Sequence, residues 1–257
     1  MFKLKFQNIE MISNKKKICS KKFVLFFYGL GCCSSDLDFL LKKKFLNKQQ
    51  ILIFDLPGHN YLNYKYETLS SYVRKIYLFI IKNNIQNITF FAHSVGGIIP
   101  ILLMKEFLKN KVKVSKFFNY EGNLNEADTE TLTKKTISYS RNDFASNKFS
   151  SLIKKCEQSD KKYLNLWSKS LKKTSSYAFY DLSFECVKFS MTDELFYFFR
   201  SFFKKKVYLI GEKSKFNKPE LYFGSVRFKI KNSGHFSYFE NRREFGKVFE
   251  QLILKNN

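Results

Sequence analysis

A serine between two very small residues is the clearest chemical feature of this chain. Ser94 follows an apolar, strand-like run and has Ala92 two positions before it and Gly96 two positions after it, which gives the pattern A-x-S-x-G. Small residues are needed there because larger side chains would collide where a strand turns abruptly into a helix around a strained serine. The apolar segment after it predicts a buried helix with Pro100 in its first turn. The pattern therefore indicates a nucleophilic serine at a strand-to-helix turn.

Strands and helices alternate on both sides of this serine. Strand-like runs cover 23–28, 51–54, 88–91, 114–120, 206–210 and 226–230, and helical patterns cover 35–45, 67–81, 95–108 and 242–254. This alternation predicts an α/β fold, with a mainly parallel central sheet flanked by helices. Residues 123–205 interrupt the alternation and are too long for a loop, so we expect a helical cap over a core formed by 1–122 and 206–257.

The composition narrows the class of protein. A chain of 257 residues with 44% hydrophobic residues can bury a large core, which excludes a disordered protein. The net charge of +24 would suit nucleic acid, but only 6 of the 46 basic residues are arginine and the lysines are spread along the chain, so no nucleic-acid partner is expected. No apolar run is long enough to predict a transmembrane segment.

The cysteines and the beginning of the chain bear on location. Five cysteines are present, an odd number without metal-ligand spacing, which is typical of reduced thiols in a cytoplasmic protein. The first six residues alternate like a strand and do not resemble a signal peptide. We therefore expect a cytoplasmic protein.

Nearly the whole chain resembles the α/β-hydrolase family. The elbow around Ser94, the strand and loop at 23–31 and the loop from Asp55 to His59 match that family, which usually has His-Gly where this chain has Tyr28-Gly29. The resemblance implies a serine hydrolase that cleaves a carboxylic ester or thioester through an acyl-enzyme, without a metal or an organic cofactor. It also implies that the backbone N–H groups of Leu30 and Val95 form the oxyanion hole.

The resemblance also assigns the general base. A serine is a poor nucleophile without an adjacent base, and the chain has three histidines. His59 lies in a loop that is mainly structural in the family, and His93 precedes the serine on the wrong side of the turn. His235 follows a strand and precedes the last helix, as the family's general base does.

Two carboxylates compete for the third position. Many family members have an aspartate three residues after the glycine that ends the strand before the histidine, but this chain has Ser214 there, with Glu212 nearby. Some relatives take the acid from the end of the strand that follows the elbow helix, where this chain has Glu121. Glu121 is the favoured acid and Glu212 is the alternative.

Partners and a competing function remain open at this stage. A small-molecule ester or acyl compound is the expected partner, and an acidic acyl carrier protein is a further candidate because lysine runs lie in or beside the predicted cap. These runs are Lys154-Lys155, Lys161-Lys162, Lys172-Lys173 and Lys204-Lys205-Lys206. The competing function is a catalytically idle α/β-hydrolase scaffold that acts as a binding protein, since the fold does not guarantee activity.

Overall fold

One mixed sheet organises the molecule. The computed structural model describes residues 1–42, 49–108, 112–129, 132–214 and 226–254. Within these ranges eight strands form a single sheet in the order β1-β2-β4-β3-β5-β6-β7-β8. The strands are β1 (Phe2–Phe6), β2 (Ile9–Ser13), β3 (Lys22–Phe27), β4 (Gln50–Phe54), β5 (Asn87–His93), β6 (Lys113–Tyr120), β7 (Lys206–Gly211) and β8 (Val226–Ile230).

Strand pairing confirms the predicted fold class. The first two strands form an antiparallel hairpin, and β2 pairs antiparallel with β4. All the other pairs, from β4 to β8, are parallel. The carboxyl ends of the parallel strands therefore meet at one edge of the sheet, which is the edge where open α/β sheets place their ligands.

The helices follow the predicted order with two changes in detail. The predicted helix at 35–45 is a 3₁₀ turn at Ser34–Leu37 followed by α1, and residues 43–45 lie outside the described part of the chain. The predicted helix at 95–108 begins three residues later, because a 3₁₀ turn covers Ser94–Gly97. The helices are α1 (Asp38–Leu41), α2 (Leu69–Lys82), α3 (Ile98–Phe107), α4 (Thr133–Ile137), α5 (Arg141–Asp143), α6 (Phe149–Glu157), α7 (Lys162–Leu171), α8 (Ser176–Ser190), α9 (Glu194–Phe202), α10 (Ser237–Glu240) and α11 (Arg242–Leu254).

Phenylalanine fills the core on both faces of the sheet. Phe26 and Phe91 stack with ring centroids 4.9 Å apart, and α11 covers them with Phe245 and Phe249. On the opposite face, Phe54 and Phe90 contact aromatic residues of α2 and α3. Because side chains alternate between the faces of a strand, consecutive phenylalanines can serve both layers.

Segment 123–205 supplies helices at the carboxyl edge and one helix on the sheet. In α7, the Trp167 Nε1–H donates to the Leu30 carbonyl over 3.2 Å, which holds this helix above the loop after β3. By contrast, Phe199 of α9 and Phe203 directly after it pack on Phe117 of the sheet, with centroids 5.4 and 4.8 Å away. The division into core and cap stays our interpretation, and α9 belongs spatially with the layer that also contains α3.

Candidate active site

The elbow around Ser94 has the strained geometry that its sequence predicts. Strand β5 ends at His93, and Ser94 has a φ of 54°, in the left-handed region that non-glycine residues rarely adopt. A Cβ on Gly96 would lie 2.5 Å from the Phe27 carbonyl oxygen, so only glycine fits beside β3. Pro100 occupies the first turn of α3, as predicted. Ser94 is thus held at the carboxyl edge of the sheet.

Glu121 and His235 are in direct contact. The His235 Nδ1 and Glu121 Oε2 atoms are 2.7 Å apart. Strands β5 and β6 are paired with His93 opposite Tyr120, so the next residues, Ser94 and Glu121, leave the sheet side by side. The Glu121 side chain is 5% exposed, whereas that of His235 is 40% exposed, so the imidazole is buried at its anchored end and open towards the cavity.

The contact with Glu121 sets the tautomer of His235. A carboxylate only accepts hydrogen bonds, so Nδ1 carries the hydrogen and Nε2 has a free lone pair in the neutral ring. The other carboxylate oxygen, Glu121 Oε1, accepts from the Gly211 N–H over 2.7 Å and from the Ser214 hydroxyl over 2.6 Å. All these donors fix the orientation of the carboxylate, and with it the imidazole.

The alternative acid lies elsewhere. Glu212 is exposed, and its Oε2 accepts the backbone N–H of Asn232 over 2.8 Å. Its neighbour Ser214, which stands at the position where many relatives have the acid, donates its hydroxyl to Glu121. The structure therefore brings Glu121, and not Glu212, to His235.

The serine and the histidine share one cavity, which has a volume of about 910 Å³. Ser94 and His235 both line it, although among the described residues no hydrogen bond joins their side chains. Contacts of this kind are often long in an unliganded site and tighten when substrate binds. The apolar part of the wall is formed by Leu30, Val95, Leu132, Tyr163, Leu164, Trp167, Phe236 and Phe239.

The predicted oxyanion donors lie in the same cavity. Leu30 and Val95 both line it, and within the described ranges neither backbone N–H donates to a protein acceptor. The loop that carries Leu30 is clamped from two sides, by Trp167 at the Leu30 carbonyl and by His59 at Gly31. Two free donors on a rigid support can stabilise negative charge that develops on a bound carbonyl oxygen.

His59 holds this loop through both ring nitrogens. Its Nε2 accepts the Gly31 N–H over 3.1 Å, and its Nδ1–H donates to the Pro57 carbonyl over 2.9 Å. The ring is fully buried, and this burial lowers the pKa of His59 to about 4. A neutral ring is required here, because protonation would remove the acceptor that Gly31 uses.

Tyr28 explains the departure from the His-Gly pattern. Its hydroxyl donates to Asp55 Oδ1 over 2.7 Å and accepts the Leu56 N–H over 2.9 Å. The Ser34 hydroxyl donates to the other oxygen of Asp55 over 2.7 Å. The loop after β3 is therefore tied to the loop after β4 through Asp55.

His93 connects the two halves of the site, a role that the sequence did not predict. Its Nε2–H donates to the His235 carbonyl over 2.8 Å, so Nδ1 accepts the hydroxyl of Tyr238 over 3.0 Å. The same Tyr238 oxygen is 3.0 Å from Cys32 Sγ, in the loop that carries the predicted oxyanion donor Leu30. Burial holds the pKa of His93 well below its usual range, so the ring is a neutral brace between the two loops.

The lowered pKa of His59 predicts a loss of stability in acid. The usual histidine pKa is about 6.5, so as the pH falls the unfolded chain binds a proton before the folded chain does. The stabilisation is complete above pH 6.5 and declines as the pH falls towards 4, by about 3 kcal/mol. We expect the wild-type protein to lose about this much more unfolding free energy between pH 7 and pH 4 than His59→Gln, which does not titrate, as measured by urea denaturation. Equal losses would contradict the buried, neutral state of His59.

The remaining sequence expectations concern thiols and membranes. All five cysteines are free, and four of them are buried. Across the described ranges, no helix combines the length and apolarity needed to cross a bilayer.

Comparisons with solved structures identify the fold. The chain is similar to a carboxylesterase from the thaumarchaeon Nitrososphaera gargenis, with a TM-score of 0.75, 17% identity and coverage of 98% of this chain and 97% of that chain. It is also similar to MenH from S. aureus, with a TM-score of 0.76, 13% identity and coverage of 96% and 98%. A thermophilic esterase from Thermogutta terrifontis gives a TM-score of 0.73, 10% identity and coverage of 96% and 94%. No protein-family model matches the chain, and no curated protein matches it in a sequence search.

Proposed function

We propose that this chain, which has the α/β-hydrolase fold, hydrolyses carboxylic esters or thioesters through an acyl-enzyme on Ser94. The observation that carries the proposal is the 2.7 Å contact between His235 and Glu121 beside a cavity that Ser94 also lines. A buried carboxylate that fixes one imidazole nitrogen leaves the other one available as a base. The likeness to esterases supports ester hydrolysis only through the shared fold.

The proposed reaction has two halves. His235 Nε2 removes the Ser94 hydroxyl proton as the oxygen attacks the carbonyl carbon, and the Leu30 and Val95 amides bind the resulting oxyanion. The imidazolium, stabilised by Glu121, then gives its proton to the leaving alcohol or thiol. A water molecule, deprotonated by His235, attacks the acyl-serine and releases the carboxylic acid. His235 then gives the proton that it took from the water to the Ser94 oxygen as the bond to the acyl carbon breaks, which restores the serine hydroxyl and the neutral imidazole.

Three observations favour catalysis over an idle scaffold. The left-handed backbone at Ser94 and at Glu121, with φ of 54° and 42°, costs free energy that a simple binding surface does not need. The two oxyanion donors are left without acceptors in the described part of the chain. Three hydrogen-bond donors, the Gly211 N–H, the Ser214 hydroxyl and His235 Nδ1, converge on the Glu121 carboxylate. A catalytically idle scaffold does not account for these three observations together.

The cavity favours a small-molecule ester over one delivered by an acidic acyl carrier protein. Of the lysine runs expected to contact such a carrier, Lys161 and Lys162 line the cavity. Lys206 begins β7 and so lies at the amino edge of the sheet, away from the site. Lys172 is already paired with Glu157. Delivery of the ester by an acidic acyl carrier protein is therefore a more restricted version of the proposed function, with less support than a free small-molecule ester.

A series of p-nitrophenyl esters tests the proposal. Each methylene group that the apolar cavity wall buries contributes about 0.8 kcal/mol, so kcat/KM is expected to rise about fourfold per carbon from acetate until the chain fills the cavity. Beyond that length kcat/KM should fall. Initial rates of p-nitrophenol release measure the trend, with Leu132→Ala as a variant in which the longest accepted chain becomes longer. Absence of hydrolysis across the whole series would support the idle scaffold.

A further inference from the structure

Three lysines line the cavity of the candidate active site. They are Lys161, Lys162 and Lys213, and all three are exposed. Within the described ranges, none of their ammonium groups takes part in an ion pair. By contrast, Lys172, directly after α7, does form an ion pair, with Glu157. The cavity therefore contains three ammonium groups that no carboxylate of the described residues pairs with directly.

These lysines lie around the loop that carries His235. The Lys213 backbone N–H donates to the Ser233 carbonyl over 2.8 Å, two residues before the histidine. Lys161 and Lys162 begin α7, and this helix packs on the same loop through Tyr163 and Trp167. The rings of these two aromatic residues lie 6.0 and 5.1 Å from that of Phe236.

Carboxylates of the cavity do not cancel this charge by direct pairing. Glu240 is the last residue of α10, and its two oxygens accept the backbone N–H groups of Gly234 and Phe236 over 2.7 and 3.0 Å. Asp128 belongs to the segment after β6, and one of its oxygens accepts two backbone N–H groups over 2.8 and 3.0 Å. The first turn of α7 holds no acidic residue, so the positive end of its helix dipole adds to the lysine charge.

The proposed reaction places one half of the substrate beside these lysines. His235 must protonate the leaving oxygen, so that oxygen lies within hydrogen-bond reach of Nε2. The rest of the leaving alcohol then extends along the His235 loop, towards Lys213 and the start of α7. The acyl group extends from Ser94 into the rest of the cavity, whose lining also includes Asp128 and Leu132.

We infer that the substrate is an ester whose leaving alcohol carries a negative charge, which Lys161, Lys162 and Lys213 bind. This inference rests on the proposed function and adds the chemical class of the leaving group. An anion held there lies at the site of proton transfer, so the charge contacts orient the bond that breaks. The cavity lining also contains the carboxylate of Asp128, which disfavours a second negative charge on the acyl group.

Two matched substrates test the inference. Both 4-acetoxybenzoate and its methyl ester release acetate, and their leaving phenols differ in the negative charge. We expect Lys161→Met/Lys162→Met/Lys213→Met to lower kcat/KM for 4-acetoxybenzoate roughly tenfold, since three exposed charge contacts, each weak in water, are lost together. The same variant should change kcat/KM for the neutral methyl ester less than about twofold, because that ester makes no charge contact.

A second triple variant distinguishes the effect of charge inside the cavity from the effect of the overall charge of the protein. Lys154→Met/Lys155→Met/Lys169→Met removes the same charge from exposed positions of α6 and α7 that do not line the cavity. Its effect on either ester should stay within about twofold at physiological salt, where charges beyond about 8 Å are screened. Equal losses in the two triple variants, or equal losses on the two esters, would overturn the inference. Failure of the wild-type protein to hydrolyse either ester would instead contradict the proposed function.

Discussion

Ser94→Ala is expected to abolish turnover, with kcat reduced about 10⁶-fold, the order found when the nucleophile of a serine protease is removed. The hydroxyl is the atom that forms the covalent bond in the proposed reaction, so no other group replaces it. A fluorophosphonate probe, which reacts with activated serines, should label the wild-type protein once per chain and leave the variant unlabelled. Intact-mass measurement counts the label directly.

The variant should fold as the wild type does. Alanine and serine have similar costs in the left-handed conformation that residue 94 adopts, so the circular dichroism spectrum should be unchanged. Ser150→Ala is the matched control, because Ser150 is exposed on α6 and outside the cavity, and it should label fully. Retained labelling of Ser94→Ala would mean that another residue is the nucleophile.

Glu121→Gln is expected to lower kcat about 10³- to 10⁴-fold, with little change in KM. Glutamine has nearly the same shape and can still accept from Gly211 and Ser214, so the local fold should survive. Its amide group, however, points a hydrogen-bond donor at His235 Nδ1. The ring then adopts the tautomer with hydrogen on Nε2, which cannot remove the proton of Ser94. Steady-state kinetics on a p-nitrophenyl ester measures the loss.

Glu212→Gln provides the comparison for the acid. Glu212 interacts with the Asn232 backbone and not with His235, so this substitution should change kcat less than about threefold, as is usual for an exposed side chain. A larger loss of kcat with Glu212→Gln than with Glu121→Gln would mean that Glu212 is the catalytic acid, on the strand that many relatives use. The two variants remove the same charge, so overall electrostatics cannot account for a difference between them.

The fold followed from the sequence because it depends on patterns that local chemistry controls. Apolar runs separated by amphipathic helices specify a parallel sheet, and β3 to β8 appear at the predicted places. The same holds for the elbow, since the glycine in the pattern is required where a Cβ on Gly96 would lie 2.5 Å from the Phe27 carbonyl oxygen at the end of β3. The start of α3 was misplaced by three residues because the strained serine forces a 3₁₀ turn before a regular helix can begin.

The supporting contacts of the site could not be predicted in the same way. The positions of His59 and His93 in the chain exclude them as the general base and predict no other role. Each of them nevertheless joins loops that are far apart in sequence. No local spacing encodes such a contact, since it depends on which loops the fold brings to one edge. In addition, the sequence alone does not distinguish a buried histidine from an exposed one. The catalytic roles of Ser94, His235 and Glu121 stay predictions until the variants are measured.

Ser214 has a consequence for how this site could have diverged from relatives that carry their acid at that position. Its hydroxyl lies 2.6 Å from Glu121, so an ancestor with an aspartate there and Glu121 already in place would have held two carboxylates at hydrogen-bond distance. Like charges this close cannot both ionise, and the pair would share one proton. One of the two acids then becomes dispensable, and a single codon change to serine turns it into a donor for the other. The acid can thus move from one strand to its neighbour without passing through a sequence that has none.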